Sequence, residues 1–222
     1  MKMPEDMIQA ICKKAHQLGL LTSAHVESTE GVKAALRNGV DSIEHGAKPD
    51  QEMMELFKEK KAFLITTLSP ALPFALFDPS VSKVDDTQLF NGKMVFDGIV
   101  ECSKAALENH IPVGLGNDVG CPWITQYDFY RELVYFHKYV GVTNGFAIYT
   151  ATLQNAILAG ISDITGSIDA GKQADMIVVK ENPLDDLNAL KNIELVFTKG
   201  KMVHPKIKRD KEIEQRLDVF CK

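Results

Sequence analysis

Short β-like runs alternate with helical runs, and the connections between them are short. That alternation constrains the fold more than any other feature of the chain. Apolar Met7, Ile8, Ile11, Ala15 and Leu18 recur near helical spacing, which predicts a helix over residues 4–18 that stops at Gly19. Residues 20–26 form a short apolar run suited to a buried strand. Ser28 or Thr29 can cap the next helix, whose first turn holds Glu30 and whose apolar face carries Val32, Ala35 and Leu36. That helix stops at Asn38-Gly39, and residues 40–45 read as a second strand. A third helix starts at Pro49-Asp50 with Met53, Met54 and Phe57 facing inward, and residues 62–68 follow as a third strand. Residues 69–83, broken by prolines, read as a long loop, followed by a helix near 87–109 and a fourth strand over 111–118. Two more helices are expected near 125–139 and 143–159. The first two strands start about twenty residues apart, room for one tight crossover helix, so the pattern is that of parallel βα units.

After Gly160 the character changes. Residues 166–171 read as a strand entering a turn, residues 175–180 as a strand, and residues 193–198 with 201–204 as a hairpin. These are β signals without crossover helices, hence a small separate β piece. Residues 206–222 read as a charged tail or helix on a solvated surface. The organisation expected is therefore an α/β part over residues 1–160, a β portion over 161–204 and the C-terminal tail over 205–222.

Composition narrows the function classes. Hydrophobic residues make up 45% and charged residues 25%, which excludes disordered, collagen-like and disulfide-scaffold chains. A net charge of -5 argues against a nucleic-acid partner. Glu5, Asp6, Lys13 and Lys14 interrupt any leader-like apolar core, and no apolar run approaches the roughly 18 residues needed to cross a bilayer. The four cysteines form no C-x-x-C pair and read as reduced thiols of a cytoplasmic protein; Cys121 alone sits beside a candidate site.

Three residues share one placement. His25 ends the first strand, His45 the second and Asp118 the fourth. In parallel βα architectures the carboxyl ends of the strands face the active site. Two imidazoles and a carboxylate gathered there would suit zinc or a similar divalent ion, with Asp118 also able to take a proton from a bound water. The competing reading is that each histidine is structural, and convergence in space separates the two. His16, His110, His137 and His204 read as surface or packing residues. Gly114, Gly116 and Gly120 follow a strand, but their G-x-G-x-x-x-G spacing departs from the dinucleotide-binding fingerprint.

Four stretches in order, Ser23-Ala-His25, Gly39-Val-Asp-Ser-Ile-Glu-His45-Gly46, Gly116-Asn-Asp118 and Gly166-Ser-Ile-Asp-Ala-Gly-Lys-Gln-Ala-Asp175-Met-Ile-Val-Val179, resemble the amidohydrolase superfamily. The nearest branch is the imidazolonepropionase and Xaa-Pro dipeptidase (prolidase) group, and the similarity runs over about residues 5–204. The resemblance implies a TIM-like (β/α)8 barrel with a small β-sandwich. It implies that His25 and His45 are the metal histidines after barrel strands five and six, and that Asp118 is the strand-eight metal ligand and general base. The implied reaction is metal-dependent hydrolysis of an amide bond in a cyclic amide or a short peptide such as a dipeptide, with one or two divalent ions, most often zinc. Members also carry a His-x-His pair at strand one and, in two-metal enzymes, a carboxylated lysine at strand four; neither has a counterpart here. A complete barrel takes roughly 250 residues before any sandwich is added, whereas this sequence has 222. The expectation is thus the C-terminal half of the barrel, strands five to eight, with part of the sandwich. Such a chain would form a homo-oligomer or pair with a missing N-terminal half. The alternative is a catalytically inactive fragment that folds through self-association.

Overall fold

The computed structural model describes residues 3–222. The chain divides into two compact units, Met1–Gly116 and Asn117–Lys222. The fold is mixed α/β, with a parallel sheet in the first unit and an antiparallel sheet in the second.

In the first unit, β1 (Ser23–Val26), β2 (Ser42–His45), β3 (Phe63–Thr66) and β4 (Val113–Leu115) form a parallel sheet in the order β1-β2-β3-β4. Helices α1 (Glu5–Gln17), α2 (Thr29–Arg37) and α3 (Gln51–Lys60) fall where the apolar spacing put them. Local chemistry sets the ends of α3, whereas Ser28, expected as the cap of α2, stands at its N-cap without a side-chain capping bond. The Asp50 side chain accepts the backbone N–H of Met53 at the start of α3, and Lys61 closes that helix in the left-handed conformation. The inward residues Val32, Leu36, Met53 and Phe57 are fully buried.

Register then decides which side chains share a face of the sheet. Ser23, Ser42 and Phe63 are level, and so are His25, Glu44 and Ile65. Side chains alternate along a strand, so this face is polar toward β1 and β2. The opposite face presents Ile43, Leu64 and Val113, all buried, and forms the core beneath the helices. Asp41, just before β2, ties α1 to β1. It accepts hydrogen bonds from the Thr22 backbone N–H at 2.7 Å and the Thr22 hydroxyl at 2.8 Å, and it pairs with His16 Nε2 at 2.8 Å.

The long Pro-broken loop expected at 69–83 is instead mostly helical. α4 spans Leu68–Leu76 and a short helical turn, α5, spans Pro79–Ser82. Pro70 lies in the first turn of α4, where a missing N–H costs nothing, while Pro73 removes a bond inside it. Burial offsets that loss: Leu68, Ala71, Leu72 and Ala75 are buried, and α4 packs along α6 (Asp86–Glu108). Gly92 of α6 makes the close approach possible, because a Cβ there would stand 2.8 Å from the backbone carbonyl of Phe74. Asp85 opens α6 with a reciprocal capping box to Gln88.

In the second unit, α7 (Tyr130–Tyr135) continues into a π-helical turn over Phe136–Val140. α8 (Asn144–Tyr149) continues through a second such turn, Thr150–Gln154, into α9 (Asn155–Leu158). β5 (Met176–Val179), β6 (Ile193–Thr198) and β7 (Lys201–Val203) form the antiparallel sheet, and β6 and β7 are the expected hairpin. Residues 166–171 form bends and the expected turn, without the strand expected to lead into it. Here the polar side chains and backbone bond locally instead of to a ladder: Gln173 N donates to Ile164 O, and the Thr165 hydroxyl donates to Asp175. The C-terminal segment contains a capped helix, α10 (Lys211–Asp218), and its Leu217 and Cys221 are buried. Buried Arg131 of α7 holds it, donating to Asp218 Oδ1 at 2.7 Å and to the Glu214 carbonyl at 3.4 Å. Among the described residues, no helix is long and apolar enough to cross a membrane.

Candidate functional site

The site begins with two parallel strands that end side by side. His25 lies in β1 and His45 is the last residue of β2. The register pairs His25 with Glu44 and Val26 with His45, so strict alternation would send the two histidines to opposite faces. The backbone of His45 breaks the alternation. Its φ of 72° is left-handed, an uncommon conformation outside glycine, and Gly46 continues it at 87°. Gly46 is required for a second reason: a Cβ there would lie 2.9 Å from Cys102 Sγ and 3.0 Å from Leu64. The result is an edge-on contact between the two imidazoles, with ring centroids 4.6 Å apart and planes at 82°.

His45 is buried and its Nδ1 is hydrogen-bonded to the hydroxyl of Thr67, the residue after β3. A bond of that kind fixes the ring orientation and tautomer of a ligating histidine. Glu44, level with His25, is held on the same sheet face by the hydroxyls of Ser23 at 2.5 Å and Ser42 at 3.2 Å. Glu27 joins the two histidines just past the end of β1. One ligand atom from each of His25, Glu27 and His45 lies within 4.8 Å of the other two. His25 and Glu27 also line a cleft of about 610 Å³ along β1, with Ile8, Ile11, Ala24 and Val26 on its walls.

Two imidazoles and a carboxylate are the donors a borderline divalent ion such as zinc prefers, so these residues fit a metal. Sequence reasoning singled out both histidines and missed Glu27 and Thr67. The signal for Glu27 was present, since His-x-Glu at a strand end puts both side chains on one side with period two. Thr67 carried no local signal.

Asp118 belongs to the second unit, three residues beyond the end of β4. It is exposed, its φ is 49°, and its Oδ2 accepts a hydrogen bond from Cys121 Sγ at 3.3 Å. Aspartate is among the few non-glycine residues that tolerate that backbone region.

Residues 2–203 match the model of the amidohydrolase family. The chain belongs to that family. Its similarity to solved structures extends over nearly its whole length. A Bifidobacterium longum protein described as a prolidase superposes with a TM-score of 0.94 at 39% identity, over 98% of this chain and 55% of that one. A Xaa-Pro dipeptidase solved with methionine in its active site gives a TM-score of 0.80 at 30% identity, over 91% and 49% of the two chains. Among curated relatives, the ochratoxinase of Aspergillus niger is 28% identical over 204 residues, which are 90% of this chain and 41% of that enzyme. The chain therefore spans about half the length of these amidohydrolase relatives.

Proposed function

We propose that this chain carries half of the active site of a metal-dependent amidohydrolase that cleaves the amide C–N bond of a cyclic amide or a dipeptide, Xaa-Pro dipeptides first among them. The observation that carries the reading is the contact between His25 and His45 at the ends of adjacent parallel strands, in a chain that matches the family over residues 2–203. In this reading β1–β4 are barrel strands five to eight, residues 1–160 are half of the barrel, and residues 161–204 are part of the sandwich. The remaining strands come from an N-terminal half or a second copy. The substrate class follows from the neighbours, a Xaa-Pro dipeptidase and an ochratoxinase.

His25, His45 and Asp118 are the residues that would hold the metal, and zinc is the ion proposed. Zinc, when bound, supplies a water whose pKa lies near neutrality. Asp118 takes a proton from the attacking water at its carboxylate and returns it to the departing nitrogen. Thr67 keeps the His45 ring in its orientation. Its position past the end of β4 supports the assignment of Asp118, because catalytic groups of parallel barrels sit at the carboxyl ends of strands. The four cysteines are reduced thiols, three of them buried, which supports a cytoplasmic enzyme.

The test is hydrolysis of a Xaa-Pro dipeptide panel with added zinc, by the chain alone and co-expressed with an N-terminal barrel half. We expect turnover in the paired form, little in the chain alone, loss on chelation, and a fall of at least about 10²-fold in Asp118→Asn. Full turnover by the chain alone would refute the half-site reading. Paired protein that binds zinc yet hydrolyses no amide would refute the hydrolase reading.

A further inference from the structure

We propose that Glu27 is a metal ligand, completing with His25 and His45 a two-histidine, one-carboxylate site for a divalent first-row cation inside the first unit. The inference rests on reading His25 and His45 as metal ligands and adds a carboxylate that the family resemblance does not supply.

The geometry is local. Glu27 stands two residues after His25, so one strand end offers an imidazole and a carboxylate on the same side. The two strand ends are held in register by the parallel pairing of β1 with β2. One ligand atom from each residue lies within 4.8 Å of the others. A tetrahedral ion with bonds of about 2.1 Å keeps its ligands roughly 3.4 Å apart, so small rotations of the two exposed side chains close the set. Those side chains surrender nothing: among the described residues, neither the His25 ring nitrogens nor the Glu27 carboxylate takes part in a hydrogen bond or ion pair. His45 is the fixed member, buried and oriented through Thr67.

The charge balance also fits. Two neutral imidazoles and one carboxylate leave a divalent ion with a net positive charge. Three protein donors leave a further position open to solvent or to another carboxylate. Three donors from the first unit thus form a minimum set for the ion, and the Asp118 assigned above would be a further donor rather than a member of it.

The proposal is tested by zinc titration against a chromophoric competitor and by the visible absorption of the cobalt(II) form. The proteins compared are the parent chain and Glu27→Gln, Glu27→His, His25→Ala and Asp118→Asn, each checked for native circular dichroism. We expect Glu27→Gln to weaken zinc binding at least about tenfold, the lower bound of effects seen at metal-supporting groups. Glu27→His should keep binding and shift the cobalt absorption, because a third nitrogen replaces an oxygen. If Glu27→Gln binds like the parent while His25→Ala does not, Glu27 is no ligand and the histidine site stands without it. If His25→Ala also binds like the parent, the ion lies elsewhere and both readings fall. A loss in Asp118→Asn as large as that in Glu27→Gln would overturn the claim that the site forms within the first unit.

Discussion

At the scale of single residues, backbone conformation does work that composition hides. His45 reaches His25 only because its φ is left-handed, and Gly46 is the residue that lets the chain leave β2 that way past Cys102. Asp41 shows a second kind of local control. Burial alone would raise its carboxyl pKa, but the hydrogen bonds from His16 and from the Thr22 backbone and hydroxyl outweigh that and hold it below the ordinary aspartate range. A group whose folded pKa is depressed contributes stability that is complete above its unfolded pKa and is lost as pH falls through the folded one. Asp41→Asn should therefore destabilise the chain by about 1–2 kcal/mol at neutral pH. The difference should shrink below about pH 4. Urea unfolding of both proteins from pH 3 to 7 measures it, and a constant difference across that range would contradict the assignment. At Cys102 burial outweighs a backbone hydrogen bond with Ala47 and pushes the thiol up to about 11, so that this cysteine stays protonated and unreactive at neutral pH.

Elements whose pattern is carried by near neighbours in sequence were legible, and those defined by distant partners were not. α1, α2 and α3 follow from apolar spacing, with a side-chain cap in α3 alone, and β1–β4 lie inside the runs assigned to them, β1 and β2 shorter at the N-terminal end and β3 and β4 at both. α4 was not legible, because its sequence, Leu68-Ser-Pro-Ala-Leu-Pro-Phe-Ala-Leu76, contains two prolines and is apolar all round. Helical propensity would reject it; packing against α6 creates it. Gly92→Ala tests that packing. Alanine would favour an isolated helix by up to about 1 kcal/mol, yet its Cβ would meet the Phe74 backbone at 2.8 Å. We expect a net loss of about 1–2 kcal/mol, on the scale of overpacked cores, read as a lower denaturation midpoint. An increase would show that α4 and α6 can separate at no cost. The bends at 166–171 reverse the error: β-like residues whose polar neighbours find partners within the loop.

For the whole molecule, β1 is an edge strand, and the polar face of the sheet around Ser23, His25 and Glu44 is only partly buried. Leu18, Leu20 and Leu21 beside that edge are each about 60% exposed or more. An open edge flanked by exposed apolar residues favours association. We expect sedimentation at micromolar concentration to report a dimer or larger species, and Leu20→Lys with Leu21→Lys to shift it toward monomer; a monomeric parent chain would argue against pairing. The alternation of strand and helix, the strand-end placement of His25 and His45, and the ordered motifs of the amidohydrolase family were all determined by the sequence alone, because each depends on spacing along the chain. Tertiary structure alone decided that His45 turns to meet His25, that Thr67 holds it, and that a proline-rich stretch becomes helix. Each of these depends on which groups packing brings together across the fold, and spacing along the chain does not carry that information.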